Sequence, residues 1–448
     1  MNNMRTRSVA SIIVNNYNYA RFLREAIDSA LSQTYPSTEI IVVDDGSTDG
    51  SQEIIAGYGA RVVPLLKENG GQNSAFNAGF SISRGEAIFF LDSDDVLLPT
   101  AVEAAMEGFR EQGVAKVHWP LVELDAASRQ TGRVWDTNHR GASTLSSSSV
   151  HLPARFGEEP VGLAGARPGV GRRAMKRAAA ECIEQEDAQN LLLREGPDSV
   201  PYPPTSGNAF SRTFLENVFP LPDVKCESNS EPWRTRPGPD VYLSTLAPLY
   251  GRIMRLPEPQ ACYRVHGQNG YASLGFEDRL RFDSAIFDFV SSAVLKHCTK
   301  LRAGVDPGVW MSRSWSRRIY EAIQTIAALV PRSAAFILVD EDSWGTEPFL
   351  LGRKRIPFLE QDGQYWGNPA DDATAIRELQ RLRESGASFI IFAWPAFWWL
   401  DYYGELHNYL RARFPLIHQD DQLLVFNLRP AENELAGIPG WGRTRCVS

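Results

Sequence analysis

The chain has 448 residues, 43% of them hydrophobic and 22% charged, the balance of a soluble globular protein of roughly two to four domains. That balance excludes a disordered chain, a collagen-like rod and a coiled coil. Its 46 basic and 54 acidic side chains leave a net charge of −8, which argues against a chain-wide nucleic-acid binder.

Residues 8–14, SVASIIV, read as a buried strand, and the arginines ahead of them precede only a short apolar run broken by Asn15 and Asn16, so no signal peptide is expected. Residues 20–33 follow at helical spacing, with Phe22, Leu23, Ala26, Ile27, Ala30 and Leu31 on one face. A second strand over 39–43 ends at Asp44-Asp45-Gly46-Ser47, a helix fits 49–57, and 62–66 is a third strand. A helix over 72–84 leads to a fourth strand, 87–91, which ends at Asp92. Alternating strands and helices imply a mostly parallel sheet with helices on both faces, and in such sheets ligands sit outside the carboxyl ends of the strands.

Residues 124–175, rich in Ser, Gly, Arg and Pro, read as loops and a mobile lid; 176–194 reads as helical, and 196–240 is again dense in Pro and Gly. Helices resume near 240–249 and across 276–328. A second α/β unit is expected from about Pro331: strands at 334–339, 388–393 and 422–428, helices at 371–385 and 401–413. Residues 389–400 are strongly apolar but contain Pro395 and fall far short of the roughly 20 residues needed to span a bilayer. Cys182, Cys226, Cys262, Cys298 and Cys446 form no CxxC pair and no zinc spacing, and read as reduced thiols of a cytoplasmic protein whose membrane contact, if any, is peripheral at the inner face.

Three strand ends carry polar clusters. Asp92-Ser93-Asp94-Asp95 puts three carboxylates in four residues, a charge density that a divalent cation with oxygen ligands would relieve; the alternative is a solvated turn capping the helix after Pro99. In Asp44-Asp45-Gly46-Ser47-Thr48-Asp49 a carboxylate can accept from a nucleobase imide or a ribose hydroxyl, or cap the next helix. Asn15, Tyr17 and Asn18 offer an amide and a stacking ring, or a plain turn. His118 and His151 have no partner spacing, and the aromatic run Trp394, Phe397, Trp398, Trp399, Tyr402, Tyr403 reads as core or as a sugar-stacking surface.

VNNYNYARFLREAIDSALSQTYPSTEIIVVDDGSTDGS followed by NGGQNSAFNAGFSISRGEAIFFLDSDDVLLP resembles the N-terminal half of the family-2 glycosyltransferases, closely over residues 8–110 and more loosely through 204–222 and 239–269. The resemblance implies a nucleotide-sugar-binding α/β fold of the A type and an inverting, metal-dependent transfer. A sugar would pass from a nucleotide diphosphate donor, UDP-linked by expectation, to a hydroxyl of a glycan, lipid-linked glycan or protein in bacterial surface-polysaccharide synthesis. Position by position, Asn15 and Tyr17 match residues lining the base and Asp45 the acid that reads it. Asp92 and Asp94 match the Asp-x-Asp pair holding ribose and a Mn²⁺ or Mg²⁺, with Asp95 an alternative metal ligand. Asp240 matches the general base, and Tyr263, Arg264 and His266 match a segment near the donor diphosphate, His266 being a further metal ligand.

The chain departs from the pattern at Pro239, where the family has Glu, at Phe76, where it often has Arg, and in the insertion 124–175. The residues after 331 are similar to an α/β module appended to bacterial glycosyltransferases, read as an accessory domain for acceptor or partner contact. The domain expectation is 1–275 catalytic (8–110 binding the nucleotide, 111–275 the acceptor), 276–330 a helical linker, 331–432 accessory and 433–448 a tail. Two rivals remain: a nucleotidyltransferase, disfavoured by the lack of a Gly-rich phosphate loop after the first strand, and a degraded carbohydrate-binding scaffold.

Overall fold

The computed structural model describes residues 8–136, 144–146, 180–222, 238–267, 269, 274–301, 304–344 and 349–429. It divides into two compact units: residues up to 274 with 282–314, and 275–281 with 315 onward. Among the described residues no helix is long and apolar enough to cross a membrane.

The first unit begins β1 (Ala10–Asn16), α1 (Ala20–Leu31), β2 (Thr38–Asp44), α2 (Ser51–Ala56), β3 (Val63–Leu66), α3 (Gln72–Ile82), β4 (Ala87–Asp92), β5 (Val96–Leu97) and α4 (Ala101–Gly108). It continues β6 (Val114–His118), β7 (Leu121–Leu124), β8 (Gln130–Asp136), β9 (Thr144–Ser146), β10 (Glu181–Ile183), α5 (Gln185–Glu195), β11 (Asn208–Ser211), α6 (Arg212–Val218), α7 (Pro239–Leu246), β12 (Arg252–Arg255) and β13 (Ala261–Arg264). The main sheet has the order β10-β12-β6-β11-β4-β1-β2-β3. Its β1, β2, β3 and β4 are parallel neighbours, β6 and β12 pair parallel, and only β10 and β11 run against the rest. A smaller sheet has the order β5-β13-β7-β8-β9. The expected α/β architecture, a mostly parallel sheet with helices on both faces and a smaller C-terminal α/β unit, is what the chain adopts.

The reason lies in the strand sequences. Ala10, Ile12 and Val14 of β1 pack into one core with Leu23, Ala26 and Ile27 of α1, while Ile13 points the other way into a second core with Ala75 and Phe76 of α3. Successive side chains of a strand face opposite sides, so an unbroken apolar run demands cover on both.

Several expectations are corrected. Residues 130–136 and 144–146 form strands within the stretch read as loops, and the rest of 137–179 lies outside the described residues. The segment read as helical over 176–194 holds the strand β10 before helix α5. The helix expected over 401–413 breaks at Tyr403 into Trp399–Tyr402 and Gly404–Arg413.

The second unit has a six-stranded sheet whose central strand, Ala335–Val339, lies parallel to Arg353–Pro357 on one side and Ala387–Ala393 on the other. Asp371 caps Asp372–Glu384 by accepting the Thr374 N–H at 2.7 Å. Cys182, Cys262 and Cys298 are free thiols; Cys226 and Cys446 fall outside the described residues.

Candidate active site

Parallel pairing sets Asn15 opposite Asp92 and Asn16 opposite Asp44, so the ends of β1, β2 and β4 bring their polar clusters together. Within the 44–49 turn the carboxylates divide their work. Asp44 is buried and accepts from Asn16 Nδ2 at 2.8 Å, Ser47 N–H at 3.1 Å and Gln52 Nε2 at 3.1 Å, which fixes the turn. Asp49 accepts the Ala20 N–H at 2.8 Å and the Ser51 hydroxyl at 2.6 Å, the capping role. Gly46 is required here: its φ is +80° and a Cβ would meet Asn69 N at 2.8 Å.

Asp45 is buried and accepts from Lys67 Nζ at 2.5 Å, Gly70 N–H at 3.0 Å and Gly71 N–H at 2.7 Å, so its carboxylate also holds the 67–71 loop that starts α3. Asn15 is different. Its amide oxygen and nitrogen are both buried without a hydrogen-bond partner among the described residues. An amide left so costs about 1–3 kcal/mol, which a ligand group would recover. Tyr17 stands half-exposed beyond it.

The Asp92–Asp95 turn is anchored by its backbone: Ser93 N–H donates to Asn15 O at 3.1 Å and Asp95 N–H to Asp92 O at 3.0 Å. Asp92 accepts Gln72 Nε2 at 3.1 Å, a contact the sequence reading missed. Its carboxyl is pushed up to about 8 by burial, then by the charges of Asp94 and Asp240. Asp94 Oδ2 lies 3.0 Å from His266 Nε2, with the imidazole packed against the rings of Tyr19 and Phe22. Asp95 is not placed with them. It is interior, its Oδ1 accepts the Arg264 N–H at 2.9 Å, and burial followed by Asp94 and Asp92 pushes its carboxyl well up. Its other oxygen, Oδ2, is buried without a hydrogen-bond partner among the described residues.

Arg264 serves the acidic turn from within. Fully buried, it donates from Nε to Asp94 O at 2.6 Å, from Nη1 to Ser128 Oγ at 2.7 Å and from Nη2 to Glu25 Oε2 at 2.7 Å, and its guanidinium lies 4.7 Å from the Phe22 ring centroid. It clamps the acidic turn to α1 and to the 125–129 turn. Tyr19 and Tyr263 flank the carboxylates, their phenols pushed up first by burial and then by the acids, Asp94, Asp92 and Asp95 among them.

Asp240 occupies the second position of α7, behind Pro239, and its Oδ1 accepts the Val241 N–H at 2.9 Å. Burial pushes it up to about 6, and the charge of Lys116 holds it down. Lys116 is itself fully buried, donates to Pro201 O at 2.8 Å, and is pushed down to about 7 by burial. Asp240 is one of the charges that raise Asp92, so the two acids share one field.

Phe76 is core. It stacks on Phe90 at 3.9 Å between centroids and is no donor contact. His118 is buried and held neutral by burial, then by Lys116 and Arg255; His151 lies outside the described residues.

Among the described residues no three His, Cys, Asp or Glu side chains converge enough to cage a metal alone. The pair Asp94 and His266 nevertheless fits a divalent ion that completes its shell with substrate oxygens, the usual manner of Mg²⁺ at phosphate sites.

The profile of Glycosyl transferase family 2 matches residues 11–147. An uncharacterized glycosyltransferase of Nostoc sp. is 32% identical over 268 residues, covering 59% of this chain and 66% of that protein. The chondroitin synthase of Pasteurella multocida is 42% identical over 104 residues, 22% of this chain and 11% of that protein. The structure of S. aureus TarS 1–349 in complex with UDP-GlcNAc is 15% identical, with a TM-score of 0.43 over 72% of this chain and 76% of that one. The chain thus spans just under two thirds of the Nostoc relative and about a tenth of the synthase.

Proposed function

We propose that this chain, which carries a glycosyl transferase family 2 domain over residues 11–147, is a metal-dependent inverting glycosyltransferase. It would use a nucleotide diphosphate sugar, UDP-linked by first choice, and a hydroxyl acceptor on a glycan, a lipid-linked glycan or a protein. The observation that carries the reading is the shared field of Asp92, Asp94 and Asp240, gathered from the end of β4 and the start of α7 beside the unpartnered Asn15 amide.

In this reading Asn15 and Asp45 hold the base, Tyr17 covers it and Asp92 takes the ribose. Asp94 and His266 would hold Mn²⁺ or Mg²⁺, which when bound supplies Lewis-acid stabilisation of the charge developing on the diphosphate. Asp240, ionised above about pH 6, accepts the acceptor hydroxyl's proton as that oxygen attacks the anomeric carbon. One displacement with one base inverts the configuration. The Arg264 clamp keeps the Asp94 backbone where its carboxylate meets His266. Accessory contact to the acceptor by the second unit, and action at the inner face of a bacterial membrane in surface-polysaccharide synthesis, belong to the same proposal.

The test is a thermal-shift panel of UDP, GDP, TDP and CMP, each with Mn²⁺ or EDTA. A ligand at 100 times its Kd stabilises the native state by about 2.7 kcal/mol. One nucleotide diphosphate should shift the transition with Mn²⁺ and not with EDTA, and Asp94→Ala should abolish that shift. Asp240→Asn should bind the nucleotide yet transfer no sugar. Full transfer by either variant removes that residue from its role.

A further inference from the structure

The aromatic run of the second unit divides in the structure. Trp399 is fully buried and Trp394 packs beside a second core cluster, but Trp398 is 41% exposed and Tyr402 68% exposed. Their rings sit 5.6 Å apart at 67°, and Tyr402 meets Tyr403 edge-on at 4.9 Å. Two large rings left in water on a well-packed unit mark a contact surface.

Their place in the sheet is informative. The chain leaves the central strand Ala335–Val339 for one parallel neighbour, Arg353–Pro357, and later joins the other, Ala387–Ala393. That reversal is a topological switch point, and in open α/β sheets ligands bind outside the carboxyl ends of the strands at such a point. The first of those ends continues as Asp340-Glu341-Asp342, the second as the 394–403 segment. Glu341 Oε1 joins them, accepting the indole N–H of Trp398 at 3.1 Å and of Trp399 at 3.3 Å. Tyr365, in the short ribbon of Glu360–Gln361 and Gln364–Tyr365, is near enough that its phenol is pushed up to about 12 by burial and then by Glu341, Asp340 and Asp342.

Charge narrows the ligand. Asp340 is buried, 4.0 Å from Arg355 and accepting the Trp344 N–H at 3.0 Å, so it is spent on the fold. Glu341, Asp342 and the exposed Asp401 leave the rim anionic. A phosphate or nucleotide would be repelled. An uncharged polyol suits both features: its hydroxyls donate to carboxylates and its C–H face lies on an aromatic ring.

We propose that this surface at the strand ends is a glycan-binding subsite, with a pyranose face on Trp398 and Tyr402 and its hydroxyls directed to Glu341 and Asp342. The site lies wholly in the second unit and stands whether or not the reading of the first unit is right.

The experiment uses the full chain in EDTA without nucleotide. Cellotetraose, maltotetraose and N-acetylchitotetraose are titrated by calorimetry and by tryptophan fluorescence, with tetragalacturonate and choline chloride alongside. At least one neutral tetrasaccharide should bind, with affinity falling roughly tenfold in Trp398→Ala and in Tyr402→Ala. Trp398→Phe should retain part of the affinity, and Asp94→Ala all of it. Tyr402→Ala changes an exposed side chain and should melt with wild type, so its lost affinity is not lost folding; Trp398→Ala also gives up the Glu341 hydrogen bond, and its calorimetric melting checks that it is folded at the titration temperature. Three outcomes overturn the proposal: none of the neutral glycans binds, binding survives in the Trp398→Ala/Tyr402→Ala double variant, or the acidic glycan or choline is preferred.

Discussion

Replacing Arg264 with Met tests the clamp that holds the acidic turn. The guanidinium makes three hydrogen bonds of 2.6, 2.7 and 2.7 Å while fully buried. Its bonds to the Asp94 carbonyl and the Ser128 hydroxyl are charge-assisted, about 1.5 kcal/mol each at the low end of that class. The Glu25 bond counts for less, about 0–1 kcal/mol, because that carboxylate is 42% exposed and regains water when the partner leaves. The cation–π contact with Phe22 adds about 1 kcal/mol, and the methionine's apolar stem returns a similar amount by packing. The net loss is roughly 3–4 kcal/mol, or on the order of 6–15 °C in the melting of the first unit. Glu25→Gln should cost under about 1 kcal/mol by the same argument. Arg264→Lys should fall between, since an ammonium on a single stem cannot serve three acceptors spread over a planar fork. Differential scanning calorimetry of the full chain reads all three. Arg264→Met melting within 2 °C of wild type (about 0.5–1 kcal/mol on that scale) would refute the clamp, as would Glu25→Gln costing as much as Arg264→Met.

The proposed base fixes a pH profile. With Asp240 pushed up to about 6, kcat/KM should rise with pH through about 6 and level off above it, because only the ionised carboxylate accepts a proton. Lys116→Met removes the charge that holds Asp240 down, so the acid limb should move to higher pH; an unmoved limb would disconnect the two. Phe76→Ala should cost roughly 3–5 kcal/mol by chemical denaturation, and Phe76→Arg more, since it buries an unpaired charge against Phe90. Wild-type stability in Phe76→Arg would return that position to the donor site.

What was legible in the sequence follows from run length. β1, β2 and β4 are six or seven residues of nearly unbroken apolar sequence ending in acids or amides, so both the strands and the ligand-facing ends could be read. β11, β12 and β13 are four residues each, bounded by Pro- or Gly-bearing turns, and local pattern carries too little signal for so short a pairing. Arg264 shows the same limit at the level of one side chain. The YRVH segment marked it as belonging near the site, but only the register of β13 beside β7 and β5 turns it inward to the Asp94 carbonyl. The roles of Asp44, Asp45 and Asp49 were beyond reading for a related reason. Three acids in one turn are alike in sequence and become distinct only through the N–H groups that the fold presents to each.

The departure at Pro239 illustrates how the site tolerates a change of neighbour. The first residue of a helix has no intrahelical use for its N–H, and proline's fixed φ is already helical, so Pro239 opens α7 without loss. Asp240 is thereby held in the first turn, where the helix dipole favours a negative charge and Lys116 adds to it. Both oppose the burial that raises the carboxyl, and the balance leaves it at about 6, ionised at neutral pH. Asp92, buried and facing Asp94 and Asp240, rises to about 8 despite the hydrogen bond from Gln72. The two neighbouring acids thus stand in different surroundings, which is what the proposed division of work between a base and a ribose contact requires. A glutamate at 239 would add one more negative charge beside Asp240 and push it upward, so proline here keeps the proposed base ionised to lower pH.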